Sequence, residues 1–251
     1  IYFNFFILYI LYNLSKNMFQ INKIKNKEIF FISPHLDDAI LSCGALIYSL
    51  KEQNNINIIS IFTKPLVKQK YSKEAEIFLK KTGFSEFKKL FLKRKKEDEE
   101  LCAYLKIGFF HLYFYEYIFI SDKISTNDYL INLSFKKKIN NKLKKIINNE
   151  NMLIFSPLGV GGNPDHLLVR DVINQNFKNV IFYEDYPYNL NFPPDEKFIK
   201  KYNLFIFEYK NNLFVKEKLI NFYQSQIKLL FEDKPIVLKK ERYYLKRIND
   251  F

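Results

Sequence analysis

A short apolar run, Ile29 to Ser33 (IFFIS), ends in Ser-Pro and passes directly into a helical pattern. A run of this length without polar alternation is a strand buried on both faces, and such strands belong to parallel sheets covered by helices. From Asp38 onward Ile40, Leu41, Leu46, Ile47 and Leu50 recur at helical spacing, with Asp37 or Asp38 suited to the N-cap. The unit then recurs. Ile56 to Phe62 predicts a second strand, and the lysine-rich stretch from Tyr71 to Leu105 predicts two helices that bracket Gly83. Phe109 to Phe114 predicts a third strand, followed by a helical face of Phe135, Ile139, Leu143, Ile146 and Ile147. Met152 to Phe155 predicts a fourth, opening into a loop, Ser156 to His166, that carries Gly159, Gly161, Gly162 and Pro164. A helix to about Phe177, a strand from Val180 to Tyr183 and a C-terminal helix with Leu219, Tyr223, Ile227 and Leu230 on one face complete the series. This alternation predicts an α/β fold, a mainly parallel sheet with helices on both faces, which takes its ligands at the carboxyl ends of the strands.

At 251 residues, with no linker-like composition, the chain fits one domain. Its 48% hydrophobic content excludes a disordered chain. The net charge of +13 invites a nucleic-acid reading, but it comes almost entirely from lysine, the arginines being Arg94, Arg170, Arg242 and Arg247. The accompanying abundance of Asn, Ile, Phe and Tyr is that of an AT-rich coding sequence, and no nucleic-acid-binding motif accompanies the charge, so no nucleic-acid partner is expected. Peripheral contact with an anionic membrane remains compatible with the lysine surface. Cys43 and Cys102 form neither a disulfide framework nor a CxxC site; both read as buried thiols, and a reducing cytoplasm as the compartment. Residues 1–17 are apolar but short of a bilayer span and lack a basic start. They read as an upstream extension, with a short membrane-surface anchor as the competing reading, and the domain proper as 18–251.

The chain has three histidines, and two of them, His35 and His166, lie in strand-end loops beside acidic residues. His111 falls within a strand and reads as a core or edge residue. Two imidazoles and a carboxylate are the set that holds a catalytic zinc while leaving a position for water, and His35, Asp38 and His166 supply it. Asp37, beside a ligand and free of coordination, is the natural base for a water attacking a carbonyl. The residues alone equally allow Asp37 and Asp38 to cap the helix and His35 to bond a backbone carbonyl.

The segment SPHLDDAILSCGALI resembles the first signature of the PIG-L/LmbE-like family of zinc-dependent N-acetylglucosaminyl deacetylases, and PLGVGGNPDHLLVRD resembles the second. Similarity continues through Arg94 to Leu105, FYEDYPY, NFYQSQIKLLF and ERYYL, and so spans nearly the whole chain from about Met18. The resemblance implies a Rossmann-like three-layer sandwich and removal of an acetyl group from an N-acetylated sugar or glycoconjugate. One Zn²⁺, or another divalent metal, would be held by His35, Asp38 and His166, with Asp37 as general base and Asp165 orienting its neighbours. It also implies substrate-side roles for Arg94 and Glu116, against which each reads equally as a solvated surface charge. One departure stands out: where the second motif usually has a histidine that stabilises the intermediate and protonates the leaving amine, this chain has Asn163. Asparagine cannot shuttle a proton but can donate to an oxyanion. The alternative is therefore a catalytically weakened relative acting as a sugar-binding or glycan-assembly protein. Tyr183, Tyr186 and Tyr188 could stack on a sugar, but ordinary packing is the expectation among so many aromatics.

Overall fold

The alternation in β1 (Glu28–Ser33) divides the molecule: Ile29 and Phe31 point into one core and Phe30 and Ile32 into another. In the computed structural model, which describes residues 24–67, 71–149, 152–232 and 234–246, both sets are buried. Residues 1–17, read above as an extension, lie outside the described residues. The remaining strands are β2 (Asn55–Ser60), β3 (Gly108–His111), β4 (Leu153–Pro157), β5 (Val180–Tyr183), β6 (Leu204–Tyr209) and β7 (Glu241–Lys246). They form a seven-stranded sheet in the order β3-β2-β1-β4-β5-β7-β6, in which β1 to β5 pair in parallel and β7 runs antiparallel to both its neighbours.

Helices α1 (Asp38–Leu50), α2 (Lys73–Thr82), α3 (Phe87–Leu105), α4 (Thr126–Ile131), α5 (Leu133–Ile146) and α6 (Pro164–Asn176) precede α7 (Glu196–Tyr202), α8 (Leu213–Ile220) and α9 (Gln224–Phe231). One face of the sheet is covered by α1, α3 and α8 through Leu46, Leu101, Leu105 and Leu219; the other is covered by α5 and α6 through Ile139, Leu143, Leu168 and Val172. Burying each of these side chains contributes about 1.5–3 kcal/mol. This is the three-layer α/β sandwich that the alternation predicts.

Several local expectations are corrected. The third strand ends at His111 because Tyr113 adopts φ 64°, which an extended strand cannot accommodate. The C-terminal helical face is carried by two helices broken at residues 221–223, where Tyr223 leaves helical geometry and donates its hydroxyl to Asp98. Strands β6 and β7 and the short helix α4 have no counterpart in the sequence reading. His111 behaves as expected on the edge strand, its Nε2 meeting Asp98 Oδ2 at 2.8 Å, and both cysteines are buried and free. Among the described residues, no helix is long and apolar enough to cross a membrane.

The chain builds outward from β1 through β2 to β3, then returns to place β4 on the other side of β1. Loops leaving adjacent parallel strands in opposite directions open a crevice at their carboxyl ends. The loop after β1 carries His35, Asp37 and Asp38, and that after β4 leads to Asn163, Asp165 and His166 at the start of α6.

Candidate active site

The turn after β1 is tied by Ser33, whose hydroxyl donates to the His35 carbonyl and accepts the Ala39 amide hydrogen. Asp38 reinforces it, Oδ2 accepting the His35 amide hydrogen at 2.7 Å. The same oxygen is 3.0 Å from His35 Nδ1 and 3.3 Å from His166 Nε2, and one ligand atom from each of the three residues lies within 4.8 Å of the others. Asp37 stands at the N-cap of α1 yet makes no capping hydrogen bond with its side chain. The capping alternative therefore fails for Asp37, and His35 turns its ring to carboxylates instead of a backbone carbonyl.

Each imidazole is braced from behind. His35 Nε2 donates to Asp165 Oδ2 at 3.2 Å, and Asp165 is itself held by the Tyr129 hydroxyl at 2.6 Å and the Tyr117 amide. His166 Nδ1 donates to Asp185 Oδ1 at 2.7 Å, while Asp185 Oδ2 accepts the Gly159 and Val160 amide hydrogens. With these nitrogens protonated, the lone pairs of His35 Nδ1 and His166 Nε2 face the Asp38 carboxylate. His166 Nε2 is buried and makes no hydrogen bond, its approach to Asp38 notwithstanding. An orphaned imidazole nitrogen, a second imidazole and a carboxylate oxygen converging in this way fit a divalent cation, and the carboxylate behind each ring is the usual means of fixing a ligand's tautomer. Burial would lower both imidazole pKa values, but the surrounding carboxylates raise them well above the ordinary value. Burial would likewise raise Asp38, yet the two imidazoles hold it well below the usual carboxylate range.

Asp37 is pushed up to about 6 by burial, against the opposing pull of Arg94. Arg94 reaches it from α3, Nη2 lying 3.4 Å from Asp37 Oδ1 and Nη1 3.1 Å from Glu116 Oε1. Arg94 and Glu116 are only 3% and 5% exposed, which overturns the surface-charge alternative for both. Burial raises the Glu116 carboxyl. Asn163 caps α6, Oδ1 accepting the Asp165 amide hydrogen at 2.9 Å. The structure thus brings together His35, Asp37, Asp38, Arg94, Glu116, Asp165 and His166, with Asn163 at the cap of the helix that carries the last two.

The sequence reading missed Asp185, although the acidic pair Glu184 and Asp185 after β5 offered the same strand-end signal as the other loops. It also missed Tyr129, for which no local signal exists. Of the three tyrosines, Tyr183 and Tyr186 are packing residues whose hydroxyls donate to the carbonyls of Ile32 and Val237. Tyr188 instead stands at the site, its ring edge-on to His166 at 5.6 Å between centroids.

Known structures share this fold. The chain resembles a teicoplanin-pathway deacetylase, solved with a bound ligand, at 20% identity and a TM-score of 0.68, over 87% of this chain and 97% of that one. A zinc-inhibited form of teicoplanin deacetylase Orf2 matches at 19% identity and a TM-score of 0.67 over the same shares. N,N'-diacetylchitobiose deacetylase from Pyrococcus horikoshii matches at 14% identity and a TM-score of 0.54, over 92% of this chain and 89% of that one. At these identities the likeness establishes the fold. No curated protein sequence matches significantly. The profile of the GlcNAc-PI de-N-acetylase family, PIG-L, matches residues 30–177, more than half of the chain. The chain belongs to the PIG-L family, with the three-layer α/β fold of the LmbE-like deacetylases.

Proposed function

We propose that the protein is a metal-dependent N-deacetylase that hydrolyses the acetamide of an N-acetylated sugar or glycoconjugate of the N-acetylglucosamine type. The observation that carries this reading is the convergence of His35, Asp38 and His166, each imidazole braced by its own carboxylate, with Asp37 uncoordinated beside them. Family membership and deacetylase neighbours support the same reaction class.

His35, Asp38 and His166 would hold the cation, with zinc favoured by the donor set. When bound, the cation supplies Lewis acidity and makes water a nucleophile near neutral pH. Asp37 accepts the proton of the attacking water. The water oxygen bonds to the acetyl carbon, the C–N bond breaks, and the proton passes from Asp37 to the leaving nitrogen, giving acetate and the free amine. Arg94 fixes Asp37 and keeps it from swinging away, and Glu116 holds Arg94 from the far side. Asp165 orients His35.

The test is release of acetate from N-acetylglucosamine and its conjugates, with and without a chelator, beside metal content of the purified chain. Acetate release that stops on chelation and returns with zinc supports the reading. Absence of turnover on every such substrate in the zinc-loaded chain would overturn it. A second reading, a weakened enzyme kept for sugar binding, draws on Asn163, whose oxygen is committed to the helix cap and which carries no transferable proton. Here Asn163→His separates the two: a rise in kcat of about 10-fold or more favours the weakened enzyme, since a general acid supplies about 10²–10⁴ in rate.

A further inference from the structure

Helix α3 places Arg94, Glu97 and Asp98 at i, i+3 and i+4, so the arginine has two acidic residues within reach on its own helix. All three are buried, Asp98 completely. Arg94 nevertheless pairs with neither of them, and its guanidinium crosses to Asp37 and Glu116. Its Nε, the guanidinium nitrogen nearest the helix, is buried and has no hydrogen-bond partner. Arg94 therefore carries a spare donor beside two acids that it does not touch.

Those acids are held by other groups. Asp98 Oδ1 accepts the Tyr223 hydroxyl hydrogen at 2.8 Å, and Oδ2 accepts the His111 Nε2 hydrogen at 2.8 Å. Glu97 Oε1 accepts the Ser225 amide hydrogen at 3.0 Å, and Oε2 the Ser225 hydroxyl hydrogen at 2.6 Å. Tyr223 and Ser225 stand where α8 gives way to α9, so the interruption of the C-terminal helical face delivers both donors to α3. With all four oxygens engaged, the carboxylates left to the guanidinium are those across the site.

Resting on the function proposed above, we propose that Tyr223 is a positioning residue for deacetylation: together with His111 it occupies Asp98, denies Arg94 an ion pair on its own helix, and so keeps the guanidinium on Asp37, the proposed base. Removing the Tyr223 hydroxyl leaves Asp98 Oδ1 buried and unpaired, which a buried carboxylate resists by taking the nearest free donor. That donor is Arg94, one helical turn away. The guanidinium turns back to Asp98, and Asp37 loses the contact that aims it.

The experiment compares Tyr223→Phe, and the same change combined with Asp98→Asn, with the wild-type holoenzyme on the best N-acetylated sugar. It measures kcat, KM and zinc content, and determines the crystal structure of Tyr223→Phe. Phenylalanine keeps the ring in the core, and asparagine keeps the shape of Asp98 without the charge that attracts Arg94. In Tyr223→Phe, kcat falls about 10–100-fold, KM changes by less than about 3-fold, zinc content is unchanged, and the Arg94 guanidinium is found on Asp98. In the double variant kcat returns to within about 3-fold of the wild type. A merely structural loss would not be rescued this way, because the double variant lacks the same hydroxyl. His111→Leu, which frees Oδ2 of the same acid, repeats the test from the edge strand. The role of Tyr223 is overturned by a Tyr223→Phe kcat within about 3-fold of the wild type, by Arg94 still resting on Asp37 in its structure, or by a double variant as slow as the single one. A wild-type chain that releases no acetate from any N-acetylated sugar overturns the deacetylase reading instead, and the place of Arg94 in the Tyr223→Phe structure still decides whether Tyr223 holds it.

Discussion

Asp185 Oδ1 accepts the His166 Nδ1 proton at 2.7 Å, and Oδ2 of the same carboxylate accepts the amide hydrogens of Gly159 and Val160. One buried side chain from the end of β5 thereby sets both the tautomer of His166 and the path of the loop that delivers it. Asp185→Asn removes the charge and turns an amide N–H towards groups that are all donors. Metal affinity should fall about 10–100-fold, the usual cost of losing such a brace, as read by competition with a chromophoric chelator. An unchanged affinity would mean that the loop alone positions His166.

The proposed roles of neighbouring aspartates separate cleanly. Asp38→Ala and His166→Ala should lose the bound metal, whereas Asp37→Asn should keep it and lower kcat by at least about 100-fold. Elemental analysis beside acetate release measures both. Metal loss in Asp37→Asn would recast Asp37 as a ligand.

Metal binding should also stabilise the fold, because a site assembled from two distant loops does not exist in the unfolded chain. At free zinc about 100-fold above Kd the gain is about 2.7 kcal/mol. Thermal unfolding with and without zinc checks this, and the shift should vanish in His166→Ala. The same shift in that variant would place the zinc elsewhere.

Behind the site, Lys216 Nζ lies 3.0 Å from Glu241 Oε1, and both side chains are buried. Lys216 donates to the Ser42 carbonyl, and Glu241 accepts the amide hydrogens of Ala45 and Leu46, so the pair fastens α1, whose first turn carries Asp38, to α8 and β7. Lys216→Met leaves the Glu241 carboxylate buried and unpaired and should cost about 3–5 kcal/mol in urea unfolding. Adding Glu241→Gln should recover part of that loss; a double variant less stable than the single one would show that the pair acts through more than charge.

The order of strands and helices from β1 to β5 was legible because backbone geometry imposes its periods, two for strands and 3.6 for helices, on neighbouring residues. The candidate metal site was legible for a related reason: two histidine-bearing motifs fall just after predicted strands, and a parallel sheet gathers strand ends. Strands β6 and β7 escaped because β6 is an edge strand with Ile206 exposed, and antiparallel pairing joins segments far apart in sequence. The sequence left open whether Asp37 caps a helix or faces a site, and whether Arg94 and Glu116 are surface charges. Only the tertiary structure decided these, because burial and partners arise between segments: Arg94 from α3 reaches Asp37 beyond β1, and Tyr129 from α4 holds Asp165 on α6. By itself the sequence determined which donors the chain possesses and on which elements they ride. Folding decided which of them meet, because long-range packing alone sets the distances at which charges and lone pairs act.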